Sequence, residues 1–460
     1  MAEPEGVWSP ARRRLTLGLT LTISLVASET LAIATVMPTV SDELDGIGLY
    51  GWVFSAFFLG TMVGIVVAGQ SADRLGAAPA FSLGLLLFAG GLLVGGLAQN
   101  MEMLVAARAV QGFGAGAVPA IGYVCIGRSY PSALQPRMFA VLATAWVVPG
   151  ILGPGLAGII EHAFGWRWVF LALVPLVALS GAFTLPAMRP IGPGLAPDEE
   201  AEPSLLPAAL LVAAGAAAVL AGLGNDNVFL AVGLVVVGAV VAGPAYLRLV
   251  PPGTLRARAG MPAAILARAT LTFAFFGVDA YIPLALADVR GLSTLWIGAS
   301  LTFTTLAWTA GAWTQERLVH RLGPRPLVLA GHAIILVSVA VTSLALIDEV
   351  PVAVLFVGWT LGGLGIGLAY AAISLTVLTL ADPGREGAAT SSLQVTEQLG
   401  VSIGIGVGGA AVAAGAARDW DPAVGIAIAW TIAAVVAIAG MAIARRLPGP
   451  LPARTPATTT

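Results

Sequence analysis

The sequence predicts an all-α polytopic membrane protein built from two related six-helix bundles with two extra helices between them. Three observations lead there. The mean hydropathy is +0.93, with 58% hydrophobic and only 10% charged residues, more apolar surface than a soluble fold of this length can hide. Apolar runs of about 20 residues, each long enough to span a bilayer, recur fourteen times along the chain. The chain also resembles itself. Asp73-Arg74-Leu75-Gly76 returns as His320-Arg321-Leu322-Gly323, and Val110-Gln111-Gly112-Phe113-Gly114-Ala115-Gly116 as Leu361-Gly362-Gly363-Leu364-Gly365-Ile366-Gly367. Such a parallel internal repeat is how many membrane bundles are doubled.

Taken in order, residues 1–14 form an N-terminal tail ending in Arg12-Arg13-Arg14. This resembles a signal peptide, but with so many later spans it reads as the flank of an uncleaved first helix. Residues 15–187 form the first bundle, with spans near 15–38, 50–72, 78–98, 101–125, 138–161 and 166–187. A linker region, 188–261, holds a polar interval with Asp198, Glu199, Glu200 and Glu202, then plain Ala/Val/Leu/Gly spans near 205–224 and 228–249. These two carry no charge in their apolar cores, which points to a peripheral role. Residues 262–446 form the second bundle, with spans near 262–287, 293–314, 326–347, 351–379, 388–414 and 422–444. The Pro/Thr-rich tail, 447–460, is expected to be disordered.

Charge distribution tests this count. All 22 basic residues are arginine. Arg108 falls inside a span, and Arg167, Arg290 and Arg418 fall on the outer side. The others, Arg268 included, are assigned to cytoplasmic ends, while outer loops collect Asp42, Glu43, Asp45, Asp226, Asp348, Glu349, Asp419 and Asp421. The positive-inside rule therefore favours fourteen spans with both termini cytoplasmic. The single Cys125 excludes an intrachain disulfide and reads as a packing residue.

Four stretches stand out. The fifth span holds Pro149, Gly150, Gly153, Pro154, Gly155 and Gly158 without a charge. In water this would be a loop. In lipid the backbone is forced to stay helical, so a bent helix with a close-packing small-residue face is expected. At the first cytoplasmic turn stands Gly69-Gln70-Ser71-Ala72-Asp73-Arg74-Leu75-Gly76. Asp73 and Arg74 suit a latch between helix ends, or a solvated turn with a weak surface pair, and Gly76 suits the sharp turn. Arg108 lies three residues before Gln111. A charge in a span snorkels to the surface or faces a cavity or partner. Finally, Glu29 and Asp279 lie roughly 21 and 26 Å along the first helix of each half at 1.5 Å per residue. Glu397 lies nearer the cytoplasm among Gln394, Thr396 and Gln398. For each acid a structural or hydrated role competes with a functional one. His162 and His332 read as interfacial, and the aromatics Trp52, Phe54, Phe57, Phe58, Phe273, Phe275 and Phe276 as lipid-facing or as lining a greasy cavity.

These motifs together resemble the major facilitator superfamily. Gly69 to Gly76 is similar to its loop signature. Arg108-x-x-Gln111-Gly112-x-Gly114 looks like its fourth-helix signature, and Gly150, Gly153, Pro154 and Gly158 like the fifth-helix signature of antiporters. Gly165-Trp166-Arg167-Trp168-Val169-Phe170 resembles the following segment of drug exporters, and fourteen spans match the drug–proton antiporter branch. Two departures exist: Ala77-Ala78 stands where a basic pair is expected, and His320 where the repeat would place an acid. The resemblance implies a proton-coupled exporter of amphipathic small molecules, as in multidrug efflux, working by alternating access as a monomer in the cell membrane. Glu29, Asp279, Glu397, Arg108 and Gln111 are then the candidates for proton coupling and substrate. A carrier for one metabolite or lipid is the alternative, and a non-transporting sensor or scaffold is an alternative of another class.

No Walker loop, metal-ligating cluster or catalytic constellation is apparent, so neither an enzyme, a bound cofactor nor a metal is expected, and the composition excludes nucleic-acid binding. The expected partners are substrate, protons and lipid.

Overall fold

The computed structural model describes residues 6–10, 12–131, 134–192, 205–382 and 386–449. The linker acids from Asp198 to Glu202 and most of the tail expected to be disordered lie outside these residues. The first half comprises α1 (Arg13–Glu43), α2 (Tyr50–Leu75), α3 (Ala77–Gly96), α4 (Met101–Ser129), α5 (Gln135–Thr144 and Val147–Phe164) and α6 (Arg167–Leu171 and Leu173–Met188). A hairpin follows, α7 (Leu206–Leu223) and α8 (Val228–Leu249). The second half comprises α9 (Met261–Asp279), α10 (Thr294–Leu322), α11 (Pro324–Leu344), α12 (Ala353–Leu380), α13 (Glu386–Ala416) and α14 (Pro422–Ala444). No strand occurs among the described residues. All but α10 yield segments long and apolar enough to cross a membrane. α10 carries a run of threonines and tryptophans but packs as a full member of its bundle. An even number of spans returns both ends to the arginine-rich face, called inner below.

The repeat is visible in packing. Gly112 of α4 presses on the Phe57 carbonyl of α2, and its counterpart Gly363 of α12 presses on the Thr304 carbonyl of α10. A Cβ at either would overlap backbone. This close approach replaces the hydrophobic drive that lipid cannot supply between helices. The turns repeat too: Gly76 has φ +92° and Gly323 φ +76°, values that favour glycine.

α5 is broken rather than merely bent, at Ala145-Trp146. The cause is Pro149. It has no N–H to donate to the Ala145 carbonyl one turn back, and that oxygen accepts instead from Ser24 Oγ at 2.8 Å.

The two halves meet along the outer parts of their helices. Ser55 Oγ of α2 donates to the Ser402 carbonyl of α13 at 2.9 Å, and Ser402 Oγ donates back to the Ser55 carbonyl at 3.2 Å. Gly51 abuts Gly409. Tyr50 Oη donates across to the Ala280 carbonyl at 3.1 Å, and its ring lies 5.7 Å from that of Tyr281, whose hydroxyl donates to the Ile405 carbonyl of its own half at 2.5 Å. On the opposite seam Gly150 of α5 meets the Thr305 side chain of α10, and Gly298 meets the Pro154 backbone. The outer side is therefore sealed.

The α7–α8 hairpin is not merely peripheral. α7 packs on both α2 and α13, and Leu220 fills the space over Gly406. Tyr246 Oη and Thr396 Oγ1 are 2.9 Å apart, and Ser392 Oγ donates to the Leu249 carbonyl at 2.8 Å. The hairpin runs along the α2–α13 seam, while α8 turns Phe229, Val236 and Val240 outward.

Candidate functional site

The charged residues at membrane depth form three groups. In the first half, Glu29 on α1 and Arg108 on α4 are both buried and form an ion pair through Oε1 and Nη1. Gln111 Oε1 accepts from Arg108 Nη1 at 2.8 Å, Arg108 Nε donates to the Val53 carbonyl at 3.3 Å, and the guanidinium lies 4.1 Å over the Phe57 ring. Arg108 thus neither snorkels nor faces lipid. One turn of α4 places Arg108 and Gln111 on the same side, and α1 supplies the counter-ion. A broken pair here leaves a costly buried charge.

In the second half the acids separate. Asp279, the last residue of α9, accepts from Trp359 Nε1 of α12 at 2.8 Å. Glu397 on α13 lies apart from it. Both Glu397 carboxylate oxygens lie within reach of the Tyr370 hydroxyl, at 2.8 and 2.9 Å, and Arg268 Nη1 is 3.5 Å away. Arg268 stacks 3.4 Å over the Tyr370 ring, donates to the Tyr370 carbonyl at 2.7 Å and bonds Ser374 Oγ. Glu397 keeps 16% of its side chain exposed, whereas Arg268 is wholly buried.

The structure therefore joins Glu29, Arg108 and Gln111, and holds Asp279 and Glu397 apart from them and from each other. It also corrects two readings. Arg268 is not a group at a cytoplasmic helix end: seven residues into α9 it is buried against α12 and α13, where Glu397 supplies a counter-charge and Nη2 bonds the Tyr370 carbonyl and Ser374 Oγ, while Nε and Nη1 have no hydrogen-bond partner among the described residues. His332 is not interfacial: it is buried, with Nε2 3.2 Å from Thr270 Oγ1 and Nδ1 2.9 Å from the Val328 carbonyl.

Sequence reading missed Trp359, Tyr370, Ser374 and the role of Arg268. One signal was available. Asp279 stands 250 residues after Glu29, and Trp359 stands 251 after Arg108, the offset of the glycine signature. The Asp279–Trp359 bond is thus the repeat's version of the Glu29–Arg108 pair, with an indole N–H in place of the guanidinium. Arg268, Glu397 and Tyr370 have no such counterparts: Gly18 and Pro119 occupy the equivalent places of Arg268 and Tyr370 at these offsets.

Rings connect the groups. Phe57 and Phe58 are 5.4 Å apart between centroids, Phe58 and Phe276 6.2 Å, Phe276 and Trp308 6.2 Å, and Trp308 and Tyr370 5.6 Å. Phe275 stacks on Trp359 at 4.9 Å. The aromatics on α2 and α9 therefore meet between the halves.

The signature residues occupy other places. Within the loop motif, Gly69 has open space around it, Arg74 is exposed and Gly76 makes the turn. The Asp73 side chain, proposed to latch helix ends, lies outside the described residues. Arg128 Nη1 of α4 donates to the Ala72 carbonyl at 3.4 Å and the Gly192 carbonyl at 2.9 Å. In α5, Gly150 and Pro154 contact α10, and Gly158 faces Thr294 and Leu295 of α10 at ordinary van der Waals distance. Gly153 instead faces Ser28 and Leu31 of α1. On the outer face, Trp166 Nε1 donates to Glu43 Oε2 at 2.8 Å and Arg167 pairs with Glu43 Oε1, tying α6 to α1. Among the described residues no group of His, Cys, Asp and Glu could hold a metal.

Known proteins agree with this architecture. The family profile described as Major Facilitator Superfamily matches residues 18–405. A Mycobacterium tuberculosis protein named a "probable multidrug-efflux transporter" is 27% identical, the match covering 90% of this chain and 91% of the relative. A multidrug efflux pump of Staphylococcus aureus is 24% identical, over 84% of this chain and 87% of the pump. Among solved structures, a D-xylose–proton symporter superposes with a TM-score of 0.68 at 12% identity, covering 95% of this chain and 98% of the symporter. Its likeness concerns the fold. The chain belongs to the major facilitator superfamily.

Proposed function

We propose that this chain is a proton-coupled antiporter that exports amphipathic small molecules across the cell membrane by alternating access, acting as a monomer and driven by the proton gradient without a cofactor. The observation that carries this reading is the placement of Glu29, Asp279 and Glu397 on α1, α9 and α13, helices that meet the opposite half, beneath an outer seal of small residues and tyrosines. Ionisable groups at this depth are expensive to bury, and membrane proteins keep them chiefly where they serve a function. Aromatic rings between the halves suit substrates with apolar faces, and relatives named for multidrug efflux point the same way. The carrier binds substrate from the inner side, the outer seal parts, and proton uptake from outside accompanies release.

The test is purified protein in proteoliposomes with an imposed pH gradient and a panel of amphipathic dyes. We expect accumulation on the acidic side, collapsing when a protonophore removes the gradient. Transport indifferent to the gradient would overturn proton coupling. Selective transport of one metabolite would favour the single-substrate carrier.

A further inference from the structure

We propose that Asp279 is the residue that carries the exchanged proton, and that Glu29 and Glu397 keep their charge throughout the cycle. The assignment deepens the antiporter reading above and rests on it. Its basis is which acids have counter-ions. Glu29 is paired with Arg108, and Glu397 faces Arg268. A buried carboxylate held by a guanidinium stays ionised, because losing the charge would strand the arginine. Asp279 has only a neutral partner, the indole N–H of Trp359 at 2.8 Å. Tyr50 of α2 is the ionisable group that faces Asp279; Tyr50 also faces Tyr281 and Asp288 on the segment after α9, and Asp288 in turn faces Asp42 of α1. No cation contacts Asp279 among the described residues. Of the two arginines nearest along the chain, Arg268 is engaged by Tyr370, Ser374 and Glu397, and Arg290 donates to the Ala345, Ile347 and Val350 carbonyls. A carboxyl group without a cation is stable as the neutral acid when dry and as the anion when wet.

The internal repeat makes the contrast sharper. At matched positions the first half pairs an acid with arginine and the second pairs an acid with tryptophan. The exchange keeps an N–H donor and removes the positive charge. It converts a fixed ion pair into a group free to gain and lose a proton.

Placement links this chemistry to the seal. The two residues after Asp279 take part in it: the Ala280 carbonyl accepts from Tyr50 across the halves, and the Tyr281 ring, held to α13 of its own half through the Ile405 carbonyl, packs against the Tyr50 ring. Regular α-helix also ends at Asp279, and the chain continues through a short turn and a π-helical segment, Ala285–Val289, an irregularity common at functional positions. When the seal parts, outer water reaches Asp279 and the carboxylate takes a proton. When the seal reforms and the inner side opens, the O–H bond breaks and the proton leaves to cytoplasmic water.

Infrared difference spectroscopy with pH, on protein in lipid, tests this directly. We expect a carbonyl stretch of a protonated carboxylic acid that is lost in Asp279→Asn and kept in Glu29→Gln and Glu397→Gln. Its persistence in Asp279→Asn, or its loss in either glutamine variant, would overturn the assignment. Trp359→Arg gives Asp279 the counter-ion of its repeat partner, and should abolish both the band and gradient-driven efflux in a protein that still runs as a folded peak on size exclusion. A band assigned to Asp279 in a protein whose transport ignores the gradient would sink the antiport reading and leave the protonation assignment standing. Gradient-driven transport with the band on another residue would do the reverse.

Discussion

Arg108 shows what a single residue at membrane depth demands. Its guanidinium is satisfied by Glu29, Gln111, the Val53 carbonyl and the Phe57 ring, all in a site closed to water. Removing one side of such a pair leaves a bare charge, at a cost of about 3–5 kcal/mol. Arg108→Ala should therefore lower the thermal unfolding temperature in detergent markedly. Glu29→Gln combined with Arg108→Met should regain much of that stability, because both charges go together, yet still fail to transport. An Arg108→Ala protein as stable as the wild type would show that Glu29 finds another partner. The candidacy of Arg108 and Glu29 was legible because a charge in an apolar run is conspicuous. Their pairing was not, since helix rotation decides which faces meet. Arg268 was misread for a related reason: seven residues from a helix start, a long side chain reaches water or the core equally well, and only Glu397 and Tyr370 on distant helices settle it. Those two also predict a graded effect at Tyr370. Tyr370→Phe keeps the ring beneath Arg268 but removes the hydroxyl bond to Glu397, so transport should slow without loss of folding. Size-exclusion profile and efflux rate measured together would check it, and loss of the folded peak would assign the hydroxyl a structural role.

At the scale of elements, α5 carries the most information. Its glycines and prolines announced an unusual helix, and the structure sets Gly150 and Pro154 against α10 of the other half. The break at Ala145-Trp146 was not legible, because it needs Ser24 of another helix to accept the role of donor to the carbonyl that Pro149 leaves free. Nor could spacing alone rank the glycines. A Cβ at Gly150 would collide with the Thr305 side chain, whereas one at Gly153 meets nothing closer than 3.8 Å. Gly153→Ala should thus retain efflux near the wild-type rate. Gly150→Leu should give a protein that inserts and folds but transports several-fold more slowly, since its bulk wedges α5 from α10. Dye efflux normalised to the amount of folded protein decides this. Equal rates for the two variants would mean that the α5–α10 seam tolerates far more slack than the geometry indicates.

For the whole molecule, the doubled six-helix plan was readable because each half repeats its turns and glycine signatures at a nearly constant offset. The arrangement of the halves was not, because nothing in a repeat says how its two copies face each other. The hairpin α7–α8 illustrates the limit: its uncharged sequence suits any lipid-exposed place, yet its tyrosine and leucine contacts set it along the α2–α13 seam. If the halves rock apart at the outer side, the reciprocal Ser55–Ser402 bonds must break once per cycle. Replacing both serines with cysteine, in a Cys125→Ala background, should allow a disulfide across the seam under mild oxidation. The crosslinked carrier should lose nearly all efflux and regain it when a thiol reductant is added, while each single-cysteine variant remains active under both conditions. Inner-side substrate binding should survive the crosslink, because the closed outer seal is the state it traps. Undiminished efflux by fully crosslinked protein would mean that α2 and α13 stay together throughout transport, and the opening would then have to be sought elsewhere.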